Sequence, residues 1–137
     1  MGMQSKADKQ TFSRYRQSLV RLCDELSQLI QPFLSDKPLI KGSVYELKRK
    51  CGKAGCKCAR GHLHQSMVVS ASEKGKTQLR GIPQGFLVEV QSKVRRYQKL
   101  RRARTRLVEV QRSMLQLMDR MEAMRREEMP RSGKKGL

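Results

Sequence analysis

The 137-residue chain has no tryptophan and only three phenylalanines and three tyrosines. Because large aromatic and aliphatic side chains supply most of the apolar area that a core buries, this composition excludes a large hydrophobic core. A small domain with little to bury usually depends on another device, such as a structural metal or the association of helices. The sequence therefore predicts that something besides burial stabilises the fold.

Long apolar runs are also missing. No run of eighteen apolar residues occurs, and no signal-peptide pattern precedes the first polar helix. The myristoylation pattern fails because Lys6 stands where it requires Ser or Thr. These absences predict a soluble cytoplasmic protein with no membrane partner, associated with the nucleoid if its source is bacterial. Thiols stay reduced in that compartment, so clustered cysteines favour metal binding over disulfides.

Acidic residues are scarce, since twelve Asp and Glu stand against 31 Lys and Arg, for a formal charge of +19. Between Lys37 and Val108 the only acids are Glu46, Glu73 and Glu89, against nineteen basic residues. A field of this sign attracts polyanions, which release condensed counterions on binding. A hydrolytic metal or nuclease site needs converging carboxylates or an open metal position. The few scattered acids therefore predict a protein that is not an enzyme.

Three of the four cysteines and both histidines occur within fourteen residues, Cys51-Gly-Lys-Ala-Gly-Cys56-Lys-Cys58-Ala-Arg-Gly-His62-Leu-His64. The spacing C-x4-C-x-C followed by His offers three thiolates and one imidazole, which is the ligand count of a closed tetrahedral zinc site. A closed site is structural and not catalytic. We therefore predict a structural Zn²⁺ bound by Cys51, Cys56, Cys58 and one histidine.

Two histidines compete for the fourth ligand position, and spacing alone permits either. We favour His64 because Gly61 lets the chain turn after Cys58, so that a ligand just past the loop begins the next strand. His62 then lies at the tip of the loop. A redox pair fits less well, since Cys56 and Cys58 are separated by one residue and not by the two of a thioredoxin-type motif.

The N-terminal part has the periodicity of an amphipathic helix. Residues 1–10 are polar and small, which predicts a disordered lead-in. Apolar residues then alternate in steps of three and four and predict a helix over 11–33. They are Phe12, Tyr15, Leu19, Leu22, Leu26, Leu29 and Phe33. Cys23 falls within this helix, and we expect it to be a buried small hydrophobic side chain.

Residues 39–82 predict a zinc-binding β-hairpin module. Residues 39–50 form a strand or turn leading into the cysteines. The segments 66–71 and 77–82 are apolar or β-branched and flank the glycine turn at Gly75, which is typical of a hairpin. So small a sheet is marginal alone, and zinc is expected to hold one end of it closed.

Pro83 predicts the start of a long helix over 83–129, since no proline follows until Pro130 and apolar residues recur every three or four positions. Because the first helix is about half as long, the surplus length predicts a helix-mediated dimer. Residues 130–137 predict a disordered tail. The expected fold class is mostly α with a small β-hairpin: an N-terminal amphipathic helix, a zinc-stapled hairpin and a long coiled-coil-like C-terminal helix.

The first half of the long helix predicts a polyanion-binding surface, because its cations have no acid among them. These cations are Lys93, Arg95, Arg96, Lys99, Arg101, Arg102, Arg104 and Arg106. A second basic set surrounds the metal ligands and comprises Lys48, Arg49, Lys50, Lys53, Lys57 and Arg60. If the metal loop packs beside the start of the long helix, the two sets form one surface. Arginine forks grip phosphate oxygens bidentately, so DNA is the expected partner, with RNA as the alternative.

Four sequence features follow one another along the chain. They are Gly-Ser-x-Tyr at 42–45, the cysteine run at 51–64, Gly-Lys-Thr at 75–77, and Pro83 before the long helix. Together they resemble a family of short, uncharacterised bacterial and archaeal proteins over about residues 40–110. In that family the last histidine corresponds to His64, which the resemblance implies as the fourth ligand. The chain departs from the family after His64, where the usual Gly-Pro and aromatics are replaced by Gln65-Ser66 and then Met67-Val68-Val69.

The resemblance also implies an association with transposase or recombinase genes and a role in mobile elements. The sequence hypothesis is therefore a zinc-stapled, basic DNA-binding accessory protein that dimerises through its helices and assists a transposase or recombinase complex. The alternative is a protein-interaction adaptor or RNA-binding protein that uses the coiled coil and the basic surface.

Overall fold

The computed structural model describes residues 2–50, 52–53, 55, 61 and 64–132. Its elements are α1 (Lys6–Leu29), α2 (Gln31–Leu34), β1 (Ser43–Arg49), β2 (His64–Glu73), β3 (Lys76–Gly81) and α3 (Leu87–Arg125). The chain divides into a helical unit, residues 1–31 with 104–137, and a sheet unit, residues 32–103. The expected helices and hairpin are present, and the strand that was one alternative for residues 39–50 is observed as β1, which gives the sheet three strands.

Helix α1 begins at Lys6 instead of residue 11. Ser5 caps it: the Asp8 amide donates to Ser5 Oγ at 3.0 Å, and the Asp8 carboxylate accepts from the Ser5 amide at 3.5 Å. This reciprocal capping box satisfies two amide donors that the first turn would otherwise leave unpaired. The predicted disordered lead-in over 1–10 is therefore wrong for its second half. The burial expected for Cys23 is also wrong, since its side chain is exposed.

The helical unit has few buried apolar side chains and an ion pair between α1 and α3. Phe12 on α1 is 8% exposed and Val110 on α3 is fully buried. The Arg106 guanidinium donates from Nε and Nη2 to the two carboxylate oxygens of Glu25, at 2.6 and 2.9 Å. These hydrogen bonds lower the pKa of Glu25 below its ordinary value and raise that of Arg106. Both side chains are partly exposed, so we expect the ion pair to contribute little to the free energy of unfolding. Its main effect is to align α1 with α3.

The sheet unit contains an antiparallel sheet in the order β1-β2-β3. Val68, at the centre of β2, pairs with Tyr45 on one side and Gly81 on the other, and it is 4% exposed. The predicted hairpin between β2 and β3 is confirmed. Its two-residue turn has positive φ at Lys74 (51°) and Gly75 (78°), as a type I′ turn requires.

The first part of α3 packs within this sheet unit. Val94 is 2% exposed, and the Ile40 amide donates to the Lys93 carbonyl at 3.2 Å. This part of α3 therefore packs against its own sheet unit. The sequence had led us to expect that the surplus length of the helix packs against a second copy of the chain. Dimerisation remains a prediction that helix length alone no longer supports.

Gly42, just before β1, is expected to tolerate no side chain. Its φ is +139°, and a Cβ there would lie 2.6 Å from the Ser70 carbonyl oxygen and 2.7 Å from Val69 Cγ1. The Ser70 backbone is fixed by its pairing with Ser43, so it is not free to move away. Strain and overpacking together predict that Gly42→Ala lowers the free energy of unfolding by about 3 kcal/mol, measured by urea denaturation.

Gly75→Ala is the matched control for this prediction. Gly75 also has positive φ, but no atom lies within 4 Å of the position of its Cβ. Only the backbone term applies there, which costs about 1 kcal/mol. Equal losses in the two variants would contradict the close approach of Gly42 to β2.

Candidate nucleic-acid interface and metal loop

The predicted metal loop is closed at its base by the sheet. Arg49, the last residue of β1, pairs with His64, the first residue of β2, so residues 50–63 connect two adjacent strand ends. The position predicted for His64, at the start of a strand directly after the loop, is confirmed. Cys51, Cys56 and Cys58 lie outside the described residues.

The ligand set itself therefore stays a prediction. His62, the alternative fourth ligand, also lies outside the described residues. Among the residues that the structure does describe, no three His, Cys, Asp or Glu side chains gather into a metal-binding group. The donor set of three thiols and an imidazole fits Zn²⁺ chemically, and the strand pairing at Arg49 and His64 gives the loop a fixed base.

The basic set around the loop is only partly described. Lys48 and Arg49 at the end of β1 are exposed, as are Lys50 and Lys53 beyond it. Lys57 and Arg60 lie outside the described residues. Because these four side chains are exposed to solvent, an external anion can reach them.

The eight cations of α3, which the sequence predicted as one binding set, differ in their contacts within the protein. Lys93 Nζ lies 2.8 Å from Glu89 Oε1, one helical turn earlier. Arg96 donates to the Pro38 carbonyl oxygen at 2.8 Å. Arg106 is engaged by Glu25 and also donates to Glu109 at 3.0 Å. These three side chains are thus engaged within the protein, and the nucleic-acid-binding role expected of all eight cations stays a prediction.

The other five cations of this stretch are exposed: Arg95, Lys99, Arg101, Arg102 and Arg104. Arg95, Lys99 and Arg102 follow the i, i+4, i+7 spacing, so they share one face of α3 within the sheet unit. At 1.5 Å per residue this cationic stripe is about 10 Å long.

Among the described residues, the contacts of α3 and the end of β1 that leads into the metal loop lie at opposite ends of that strand. Arg96 and Gln98 contact Pro38 and Gly42, which lead into the start of β1. Arg49 ends the same seven-residue strand, about 20 Å away at 3.3 Å per residue. The expected joining of the two basic sets into one surface stays a prediction, since Lys57 and Arg60 of the loop-side set lie outside the described residues.

A polar cleft that the sequence did not reveal lies at the start of β1, within the sheet unit. It has a volume of about 390 Å³ and is lined by Lys41, Gly42, Ser43, Ser70, Ala71, Ser72, Tyr97, Gln98, Arg101 and Arg102. None of these lining residues is acidic. Ser70 and Ser72 share one face of β2, but Ser43 lies beside them only through the register of β1 with β2, which local periodicity does not encode.

In the part of the chain that the structure describes, no helix is both long and apolar enough for a bilayer crossing.

Comparison with known proteins places the chain in a family. No curated protein and no solved structure matches the chain. The expected link to mobile elements stays a prediction. The family model described as "Domain of unknown function (DUF6788)" matches residues 12–92, more than half of the chain, and the protein therefore belongs to this uncharacterised family.

Proposed function

We propose that the protein is a non-enzymatic, zinc-stapled DNA-binding accessory protein. The observation that carries the proposal is the exposed stripe of Arg95, Lys99 and Arg102 on α3. No acidic residue occurs between Glu89 and Glu109, so nothing on this stretch of the helix neutralises the stripe locally. A duplex backbone supplies the missing negative charge.

The spacing of the stripe suits a phosphate backbone. Like charges three and four residues apart, as in Arg95, Lys99 and Arg102, destabilise an isolated helix, and a bound polyanion removes that cost. Over the stripe's length of about 10 Å, one strand of B-DNA carries about three phosphates. Arg95 and Arg102 add planar forks that bind phosphate oxygens bidentately. These contacts give affinity without sequence preference.

Three further parts of the proposal rest on other observations. The zinc staple is supported by the closed base of loop 50–63 and its ligand chemistry. Dimerisation through the helices is supported by exposed apolar side chains late in α3, where Leu115 is 62% and Met118 44% exposed. Assistance to a transposase or recombinase complex is supported by the family resemblance alone.

The test replaces the stripe in the full-length protein. Arg95→Gln, Lys99→Gln and Arg102→Gln together remove three charges, and we expect duplex affinity near 0.1 M salt to fall by about two orders of magnitude. Fluorescence anisotropy of a labelled duplex measures this loss. The affinity falls because each lost phosphate contact also removes the counterion release that accompanied it.

The matched control removes the same charge late in α3, with Arg112→Gln, Arg120→Gln and Arg125→Gln, all at exposed positions. This variant is expected to keep most of the affinity, within about ten-fold of the wild type. If the wild-type protein binds no duplex DNA even at low salt, the proposed function is wrong. Equal losses in both variants would assign binding to net charge and not to the stripe.

A further inference from the structure

We infer that the polar cleft at the start of β1 is a binding site for a phosphate ester, and that a backbone phosphodiester of DNA is its ligand. The second part rests on the proposed function, whereas the first does not. The cleft lies entirely within residues 32–103, so one unit builds all of its walls.

The charge of the cleft selects an anion. Lys41 lies on one wall, and Arg101 and Arg102 lie on the α3 wall. With no carboxylate among the lining residues, a cation would meet only like charge, and the cationic group of a zwitterion would find no counter-charge. Arg102 also belongs to the cationic stripe, so the cleft and the stripe are continuous along one helix. A DNA strand held by the stripe is thereby led to the cleft.

The neutral donors select phosphate among anions. Ser70 is the pairing partner of Ser43, and Ser72 follows two residues later on the same face of the sheet. Gln98 Nε2 donates to the Gly42 carbonyl oxygen at 3.3 Å and to Ser43 Oγ at 3.5 Å. Because Ser43 Oγ accepts there, its own proton is available to donate elsewhere. Several hydroxyl donors beside three cations match the oxygens of a phosphate group.

The size of the cleft argues against an acidic protein as the ligand. A volume of about 390 Å³ is within the range of small-ligand sites. An acidic helix, about 10–12 Å across with its side chains, would need a longer groove. Tyr97 is the aromatic residue among the lining residues, and an aromatic side chain suits a sugar-phosphate unit better than a simple ion.

The test uses charge-neutral substitutions, so that general electrostatics stay constant. Ser70→Ala with Ser72→Ala removes two hydroxyls, and Ser66→Ala, on the same sheet face and outside the cleft, is the control. Two probes are measured on the full-length protein: inorganic pyrophosphate, by NMR titration of backbone amides, and a labelled DNA duplex, by anisotropy. We expect the double variant to lose about ten-fold or more in affinity for both probes. Ser66→Ala is expected to match the wild type.

The two probes separate the parts of the inference. Pyrophosphate binding that depends on the serines supports the phosphate site. If the wild type shows this binding but does not bind duplex DNA, only the proposed function is wrong. A loss for pyrophosphate with unchanged duplex affinity keeps the site and overturns DNA as its ligand. If the double variant binds both probes as Ser66→Ala does, or if pyrophosphate does not bind the wild type, the inference is wrong. Ser72 is exposed, so Ser72→Ala alone carries the test should the double variant fold poorly.

Discussion

One zinc ion per chain is expected by elemental analysis, and its removal by a chelator is expected to unfold the three-stranded sheet. Val68 is the single buried residue among the described positions of β1, β2 and β3, and every residue of β3 is exposed. So small a sheet is marginal in water without additional support. Structural zinc contributes about 10–16 kcal/mol in zinc-finger peptides, which equals or exceeds the whole stability of a typical domain.

The cysteines provide a matched pair of variants for this prediction. Cys56→Ser is expected to lose both the metal and the amide NMR signals of the sheet. Cys23→Ser, at an exposed position of α1, is expected to lose neither. His64→Ala should lose the metal whereas His62→Ala should keep it, if His64 is the fourth ligand. A sheet that persists after complete removal of the metal contradicts the staple.

The helices were the part of the fold most readily predicted from the sequence, because their signals are local. The errors lie at their ends. Ser5 and Asp8 form a capping-box pattern that is present in the sequence, but the polar composition around them predicted disorder instead. Pro83 predicted a helix start, yet α3 begins at Leu87 because Gly85 has a φ of +87°, which no helix residue adopts. Local turn chemistry overrode the general preference of proline for a first turn.

The site was less predictable because it depends on contacts between distant residues. Arg106 is engaged by Glu25, 81 residues away, and Arg96 by the Pro38 carbonyl, 58 residues away. Charge counting along the helix cannot separate such residues from Lys99, which stays exposed. The serine-lined cleft likewise depends on strand register, since a slip of β1 by one residue would turn Ser43 to the face opposite Ser70 and Ser72.

Raising monovalent salt from 50 to 200 mM is expected to weaken duplex binding by the wild-type protein by about two orders of magnitude. The phosphate contacts counted are Lys41, which lines the cleft, and the stripe of Arg95, Lys99 and Arg102. Four phosphate contacts at about 0.9 each give a slope of about −3.6 in log K against log salt. Anisotropy titrations at four or more salt concentrations measure this slope. All fourteen cations named from the sequence would instead give about −13.

Two lysines on α3 test whether the structural division of the cations is correct. Lys99→Gln is expected to reduce the magnitude of the slope by about 0.9, because Lys99 is exposed on the stripe. Lys93→Gln removes the same charge from the same helix, but Lys93 is paired with Glu89 at 2.8 Å. Its loss is expected to leave the slope unchanged. A slope near zero for the wild type contradicts electrostatic binding altogether, and equal effects of the two substitutions contradict the assignment of Lys93 to an internal role.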